Sequence, residues 1–269
     1  MLNLGCGYNY NQNWVNVDFI KTGDTVITHN LLEGIPFMIN EFDVVYHSHL
    51  LEHFPKKEAL TFLRECNRVL KPGGIIRIVV PDLEAISQEY LRNLDRAINN
   101  GTGANSDYDW IMLEMYDQTM RNSSGGEMAH YLNREEIPNK EYVFNRIGDE
   151  GRILHEKYTN NKEGKITVNP NYYSLKFYVK RIAKVYKSLL LKTKDKRAME
   201  IGRFRLSGEV HQWMYDHYSL RKILQDSGFK NIRKLSAFDS EIKDWNSYQL
   251  DSSDAQVRKP DSLFMEATK

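Results

Sequence analysis

Residues 1–82 alternate short apolar runs with turns, and a single segment among them has helical periodicity. The runs at 1–4, 15–17, 25–28, 42–46 and 75–80 are short and rich in β-branched, aliphatic or aromatic residues, the signature of strands. Between the last two, Ala59, Leu60, Leu63, Cys66, Val69 and Leu70 fall on one face at helical spacing, Pro55 suits the first turn, and Lys71-Pro72-Gly73-Gly74 is a stop. Strands interleaved with helices predict an α/β sheet.

From residue 83 the texture becomes helical. Leu83, Ile86, Tyr90, Leu94 and Ile98 line one face, and 109–120 forms a second helix closed by Asn122-Ser123-Ser124-Gly125-Gly126. The polar stretch 134–170, with Gly148, Gly151, Gly164 and Pro170, reads as irregular, and 173–191 as a helix with lysines outward. Ser219 is the expected cap of a helix over 220–227 ended by Gly228, and 231–235 and 263–267 return to strand character. The sheet is thus interrupted by a large helical insertion and completed near the C-terminus. The whole, 1–269, reads as a single domain: 1–82 as one half of the sheet, 83–218 as the insertion, and 219–269 as the part that completes it.

Composition narrows the function classes. Lys+Arg 37 against Asp+Glu 36 argues against bulk nucleic-acid binding, which feeds on excess positive charge. Cys6 and Cys66 lack CxxC neighbours, which excludes a disulfide framework or a cysteine zinc site. No apolar run approaches the ~20 residues needed to span a bilayer, and Met1 leads straight into a strand, so a cytoplasmic location is expected.

Chemistry starts at Leu2-Asn3-Leu4-Gly5-Cys6-Gly7, where glycines at a strand end permit a tight turn and close approach of a ligand. A dinucleotide fingerprint wants a third glycine, where Tyr10 stands, and an acid ~20 residues on, whereas Asp18 comes sooner. Pyrophosphate is disfavoured. An acid there can still accept bonds from both hydroxyls of a ribose, which favours a nucleoside without phosphate.

Leu2–Gly7, Asn16-Val17-Asp18, Phe42-Asp43-Val44-Val45, Leu51-Glu52-His53 and Arg68-Val69-Leu70-Lys71-Pro72-Gly73-Gly74 stand in the order and spacing of the class I S-adenosylmethionine-dependent methyltransferases, which the chain resembles. The opening, with Trp14-Val15-Asn16-Val17-Asp18, is similar to a compact small-molecule branch found among bacterial surface-polysaccharide enzymes. The resemblance implies a Rossmann-like, mostly parallel sheet flanked by helices, with 1–82 holding S-adenosylmethionine and 83–218 binding the acceptor. It puts Asn3, Gly5, Cys6 and Gly7 under the methionine part of the cofactor and Asp18 on the ribose. Asn30 and Leu31 fall beside the adenine, and Tyr46, His47 and Ser48 at the methionine end. Asn3 replaces a residue that is usually acidic, and the third glycine is missing.

His47-Ser48-His49-Leu50-Leu51-Glu52-His53 has two readings. As a metal-dependent hydrolase, His47, His49 and His53 would need further ligands among His130, His155, His211 and His217. That leaves the glycine loop and Asp18 without a role, so no metal is assigned. As a methyltransferase, His49, His53 and His211 are the candidate bases for a hydroxyl of a small molecule or glycan intermediate. Trp213, Tyr215 and Asp216 suit a sugar ring, and Arg121 with the turn after it suits an anionic group.

Eleven Lys/Arg against two acids over 176–205 give a local charge of +9. The run reads first as a solvated helix face and otherwise as a surface for an anionic partner: a phosphate-linked glycan, a membrane surface or, in a non-catalytic module, RNA. The insertion also offers a surface for a homodimer.

Overall fold

A computed structural model describes residues 1–100, 104–160 and 193–269. Seven strands form its main sheet: β1 (Leu2–Leu4), β2 (Val15–Asp18), β3 (Val26–Thr28), β4 (Phe42–Ser48), β5 (Leu70–Pro81), β6 (Lys230–Leu235) and β9 (Ser262–Thr268). Two short strands, β7 (Ser252–Ser253) and β8 (Gln256–Val257), pair apart from it. The order is β3-β2-β1-β4-β5-β9-β6, parallel except for β9, which runs antiparallel to both neighbours. The strand order reverses between β1 and β4, as in doubly wound α/β sheets. Central strands covered on both faces lose polar alternation, and every residue of β1 is buried.

Helix α1 (Lys56–Val69) returns the chain from β4 to β5, its face Ala59, Phe62, Leu63, Cys66 and Val69 buried against the sheet. Pro55 stands at its N-cap in extended conformation, just outside the first turn. Strand β4 runs through Ser48, two residues past the apolar run. His47 is thereby fully buried against Phe62, with neither ring nitrogen hydrogen-bonded, while Tyr46 turns its ring into another cluster with Trp14 and Trp245.

Between β5 and β6 stand α2 (Leu83–Asn100), α3 (Ala104–Met120), α4 (Gly126–Leu132), α5 (Lys140–Asn160), α6 (Thr193–Arg205) and α7 (His217–Asp226). Helix α5 corrects the reading of 134–170 as irregular over 140–160, and residues 161–170 lie outside the described residues. Its polar residues hide a narrow apolar stripe, Val143, Phe144, Ile147 and Leu154, which packs on Trp110, Met128, Tyr131 and Leu132. The half-buried Arg146 reaches the Glu114 carboxylate at 2.5 Å, and Gly148 (φ 62°) breaks the helix. The helix expected at 173–191 lies outside the described residues. Within the basic run, Arg205 is used internally. Its guanidinium meets the carbonyls of Thr119, Met120 and Arg121 at 3.3–3.4 Å, satisfying the open end of α3. Helix α7 begins before Ser219. Asp216 is its N-cap, and Ser219 closes the reciprocal capping box.

The C-terminal segment is tied to the sheet by one fully buried arginine. Arg77, in the middle of β5, donates Nε to Asp251 (2.7 Å) and Nη1 to Glu266 (2.8 Å), its cross-strand partner on β9. The carbonyls of Ser236, Ala237 and Asp239 take its remaining donors, and Trp245 lies 4.5 Å under the guanidinium. Tyr46 donates to the other oxygen of Asp251 at 2.6 Å.

Two outcomes follow. Arg77→Met leaves two carboxylates buried without their cation and should cost about 3–5 kcal/mol in urea unfolding; a loss under about 1 kcal/mol would contradict the tie. Burial lowers the His47 pKa to about 3, so the unfolded chain takes up a proton below about pH 6.5 that the folded chain refuses. Stability is lost as pH falls, and His47→Phe should lose about 2 kcal/mol less than the parent between pH 7.5 and 5.

Candidate active site

Because β1 pairs in parallel with both β2 and β4, the ends of all three strands open on one edge of the sheet. Gly5 (φ 63°) and Gly7 (φ 54°) turn the chain away there, in a conformation that favours glycine. Gly5 and Cys6 both donate to the Val17 carbonyl, which clamps the loop to β2. A side chain at Gly5 would run into Leu50, 2.8 Å from where its Cβ would stand; at Gly7 it would meet nothing within 4 Å. Gly7 therefore borders open space.

Asp18, at the end of β2, takes the Gly7 N–H on Oδ2 (2.8 Å) and the Ile20 N–H on Oδ1 (2.9 Å). One lone pair per oxygen stays available, and the side chain is only half-buried, which fits a ribose diol. Tyr8, Phe19, Ile20 and Leu32, directly beyond β1, β2 and β3, are all well exposed. Each is an exposed apolar side chain of the kind that can meet an adenine face. The sequence reading passed over them, although two apolar residues straight after a site acid were the available signal.

Other expected cofactor residues differ in position. Asn3 is buried and donates to Asn16 Oδ1 (3.2 Å), and Asn16 in turn bonds the carbonyls of Asn11 and Trp14, so Asn3 holds the loop rather than facing a ligand. The Cys6 thiol, its pKa pushed up to about 11 mainly by burial, stays protonated. Asn30 caps a short turn at Leu31–Glu33, accepting from Leu32 N and donating to Glu33 Oε1, while Leu31 turns into the core. The side chains of Tyr46 and His47 are withdrawn from the edge by burial. Ser48 remains half-buried at the end of β4.

Beyond β4 the chain passes His49 and Leu50 into a 3-10 turn at Leu51–His53. His49 has a positive φ of 49°, uncommon for a non-glycine residue, and its ring bridges Ser262 Oγ (2.8 Å) and Glu52 Oε1 (3.4 Å). Glu52 is fully buried, with neither carboxylate oxygen hydrogen-bonded. Its backbone carbonyl accepts the N–H groups of Gln212 (2.7 Å) and Trp213 (3.2 Å), and His211 N bonds the Gln118 carbonyl. This clasp lays His211 across His53, ring centroids 4.7 Å apart and nearly perpendicular.

Glu52, His53 and His211 each offer a ligand atom within 4.8 Å of the others. Burial, with smaller contributions from Lys259 and other nearby groups, lowers the pKa of His53 to about 4 and of His211 to about 2, and burial raises Glu52 to about 8. The Tyr215 hydroxyl is buried without a partner, and burial, with a smaller contribution from Glu52, pushes its pKa up.

The histidine trio of the hydrolase reading does not converge. His47 faces Phe62, His155 bonds the Leu132 carbonyl and His217 bonds Glu84. Arg121, expected to hold an anionic group, pairs its guanidinium with Asp117 and Glu209, whose carboxylates also accept Glu127 N and Gly125 N, while its Nε is buried without a hydrogen-bond partner. Asp216 is committed to its cap. Trp213 is exposed, with Lys56 Nζ 4.7 Å over its ring.

A parallel sheet with its order reversing at β1/β4, a glycine turn there and an acid at the end of β2 make up a Rossmann-like α/β fold with a candidate nucleoside site at its switch point. Residues 6–78 match the family model described as a methyltransferase domain. A fungal relative, "Probable methyltransferase ltbC" of Aspergillus luteorubrus, is 46% identical over 48 residues, which is 18% of this chain and 17% of that protein. An Archaeoglobus fulgidus SAM-dependent methyltransferase aligns over 100% of this chain and 85% of its own, at 12% identity and TM-score 0.39. Rickettsia typhi PKMT2, solved in complex with AdoHcy, aligns over 99% and 48%, at 12% identity and TM-score 0.36. Among the described residues no helix is long and apolar enough to cross a membrane.

Asp18→Ala removes the charged acceptor at the end of β2 that the sequence reading assigns to a ribose. By calorimetry, S-adenosylhomocysteine should bind about 10–150-fold more weakly, the equivalent of about 1.5–3 kcal/mol, and unchanged affinity would contradict this placement.

Proposed function

We propose that this protein transfers a methyl group from S-adenosylmethionine to a hydroxyl of a small molecule or glycan intermediate in the cytoplasm, of the kind used in polysaccharide biosynthesis. The observation that carries the reading is adjacency. Leu50 lies against Gly5 of the cradle, and on either side of it in the chain are His49 and the Glu52–His53 pair, on which His211 closes.

Bound there, S-adenosylmethionine supplies an electrophilic methyl on a sulfonium. Gly5, Cys6, Gly7 and Asp18 hold it at the edge. His49, Glu52, His53 and His211 surround the place for an acceptor oxygen, where alignment contributes most to the rate. An acceptor hydroxyl must also lose its proton; the imidazoles, held unprotonated by burial, are able to accept its hydrogen bond, with the proton passing on to solvent. Trp213 and its neighbour Lys56 offer an aromatic face and a cation beside the cluster, which suits a sugar carrying negative charge. Tyr215 serves from below, with its hydroxyl near Glu52 rather than with an exposed ring.

The test is transfer of labelled methyl from S-adenosylmethionine to a panel of sugars, sugar nucleotides and phenols, with amines and carboxylates alongside. Formation of an alkali-stable ether, together with S-adenosylhomocysteine, is expected. Label found only on nitrogen or in an alkali-labile ester would overturn the hydroxyl assignment.

A further inference from the structure

Fully burying a carboxyl group with no hydrogen-bond partner costs a few kcal/mol even in its neutral form. Glu52 is in that position, and His53 Nδ1 is buried beside it without a partner. Two imidazoles and one carboxylate converging from separate parts of the chain are also the donor set of open, catalytic divalent-metal sites. We propose that Glu52, His53 and His211 bind one divalent transition-metal cation on the acceptor side of the cofactor cradle.

The geometry supports a site with little rearrangement. Ligand atoms on a tetrahedral ion at 2.0–2.2 Å lie about 3.4 Å apart, and the three here lie within 4.8 Å of one another. Side-chain rotations of about an ångström close the difference. The backbone is already fixed by the two N–H bonds from Gln212 and Trp213 to the Glu52 carbonyl, so His53 and His211 arrive on a common frame. His49, held by Ser262, lies 3.4 Å from Glu52 Oε1 without a hydrogen bond to it and stands outside the ligand set. His53 and His211 are only partly buried, which leaves a path for an ion and one or more open coordination positions.

For the catalytic part, this rests on the methyltransferase reading and says how the hydroxyl is activated. An acceptor hydroxyl on the open position would lose its proton to solvent, as metal-bound water does near neutral pH. Its oxygen then forms the new O–C bond as the S–C bond of the sulfonium breaks with its electron pair, giving the methyl ether and S-adenosylhomocysteine. No oxidant or reductant enters.

The experiment uses the intact chain without a histidine tag, stripped with chelator and dialysed. Titration with Co2+, followed by its visible absorption, should show one equivalent bound with the intense bands of a low-coordinate site. Glu52→Gln and His211→Ala should weaken that binding by about 100-fold or more, and the melting temperature should rise with Co2+ or Zn2+ in the parent but not in either variant. S-adenosylhomocysteine calorimetry on the stripped parent separates the two claims. Cofactor binding with no stoichiometric Co2+, Zn2+ or Mn2+ overturns the metal site and leaves the methyltransferase reading standing. Metal binding with no cofactor binding does the reverse. Binding of equal strength in parent, Glu52→Gln and His211→Ala also overturns the site, because the ion then sits elsewhere.

Discussion

Parallel pairing of β1 with β2 on one side and β4 on the other is the constraint from which the rest follows. A strand of three residues, all buried, sits where the strand order reverses, so the chain leaves its two neighbours toward opposite edges of the sheet and a crevice opens beyond it. Gly5 and Gly7 must turn in that crevice because β2 is already clamped to the loop through the Val17 carbonyl. Asp18 and the His49–His53 segment are brought to the two sides of the same opening by nothing more than strand register: Leu4 lies opposite both Val17 and His47. The proposed cradle for a nucleoside and the polar side chains proposed to face a reacting partner are thus consequences of one pairing pattern.

The second half of the chain reaches that opening through backbone bonds. Residues of the 210s are far from those of the 50s in sequence, and the Glu52 carbonyl brings them together by accepting two N–H groups at once. The helices between β5 and β6 have a core of their own around Trp110, yet the end of α3 touches both Arg205 and His211. Arg77 plays the corresponding part on the far side of the sheet, holding the C-terminal strands with a guanidinium whose every donor is used within the protein.

What was legible in the sequence was local. Short β-branched runs gave the strands, and the Ala59-to-Val69 stripe gave α1, because a buried face imposes its period on neighbouring residues. Asp18 and the glycines were legible because backbone conformation and strand end fall within a few residues of each other. The α5 helix was hidden because its apolar stripe is narrow and interrupted at Gly148. Arg121 and Asp216 looked like ligand-binding groups, but their partners, Asp117, Glu209 and Ser219, are visible only once helices are folded and capped. His47, His49 and His53 read as one cluster in a line of text, whereas strand alternation and the turn after β4 send His47 to the core and leave Glu52 and His53 to meet His211.

The central claim is that one opening, between the glycine turn and the Glu52–His53–His211 cluster, holds both cofactor and acceptor. A crystal structure of the protein with S-adenosylhomocysteine tests it most directly. The ribose is predicted on Asp18, the adenine among Phe19, Ile20 and Leu32, and the sulfur above Gly5 and Leu50, facing the His53 and His211 rings. A ligand seated elsewhere on the sheet, or one whose sulfur points away from those rings, would contradict the account.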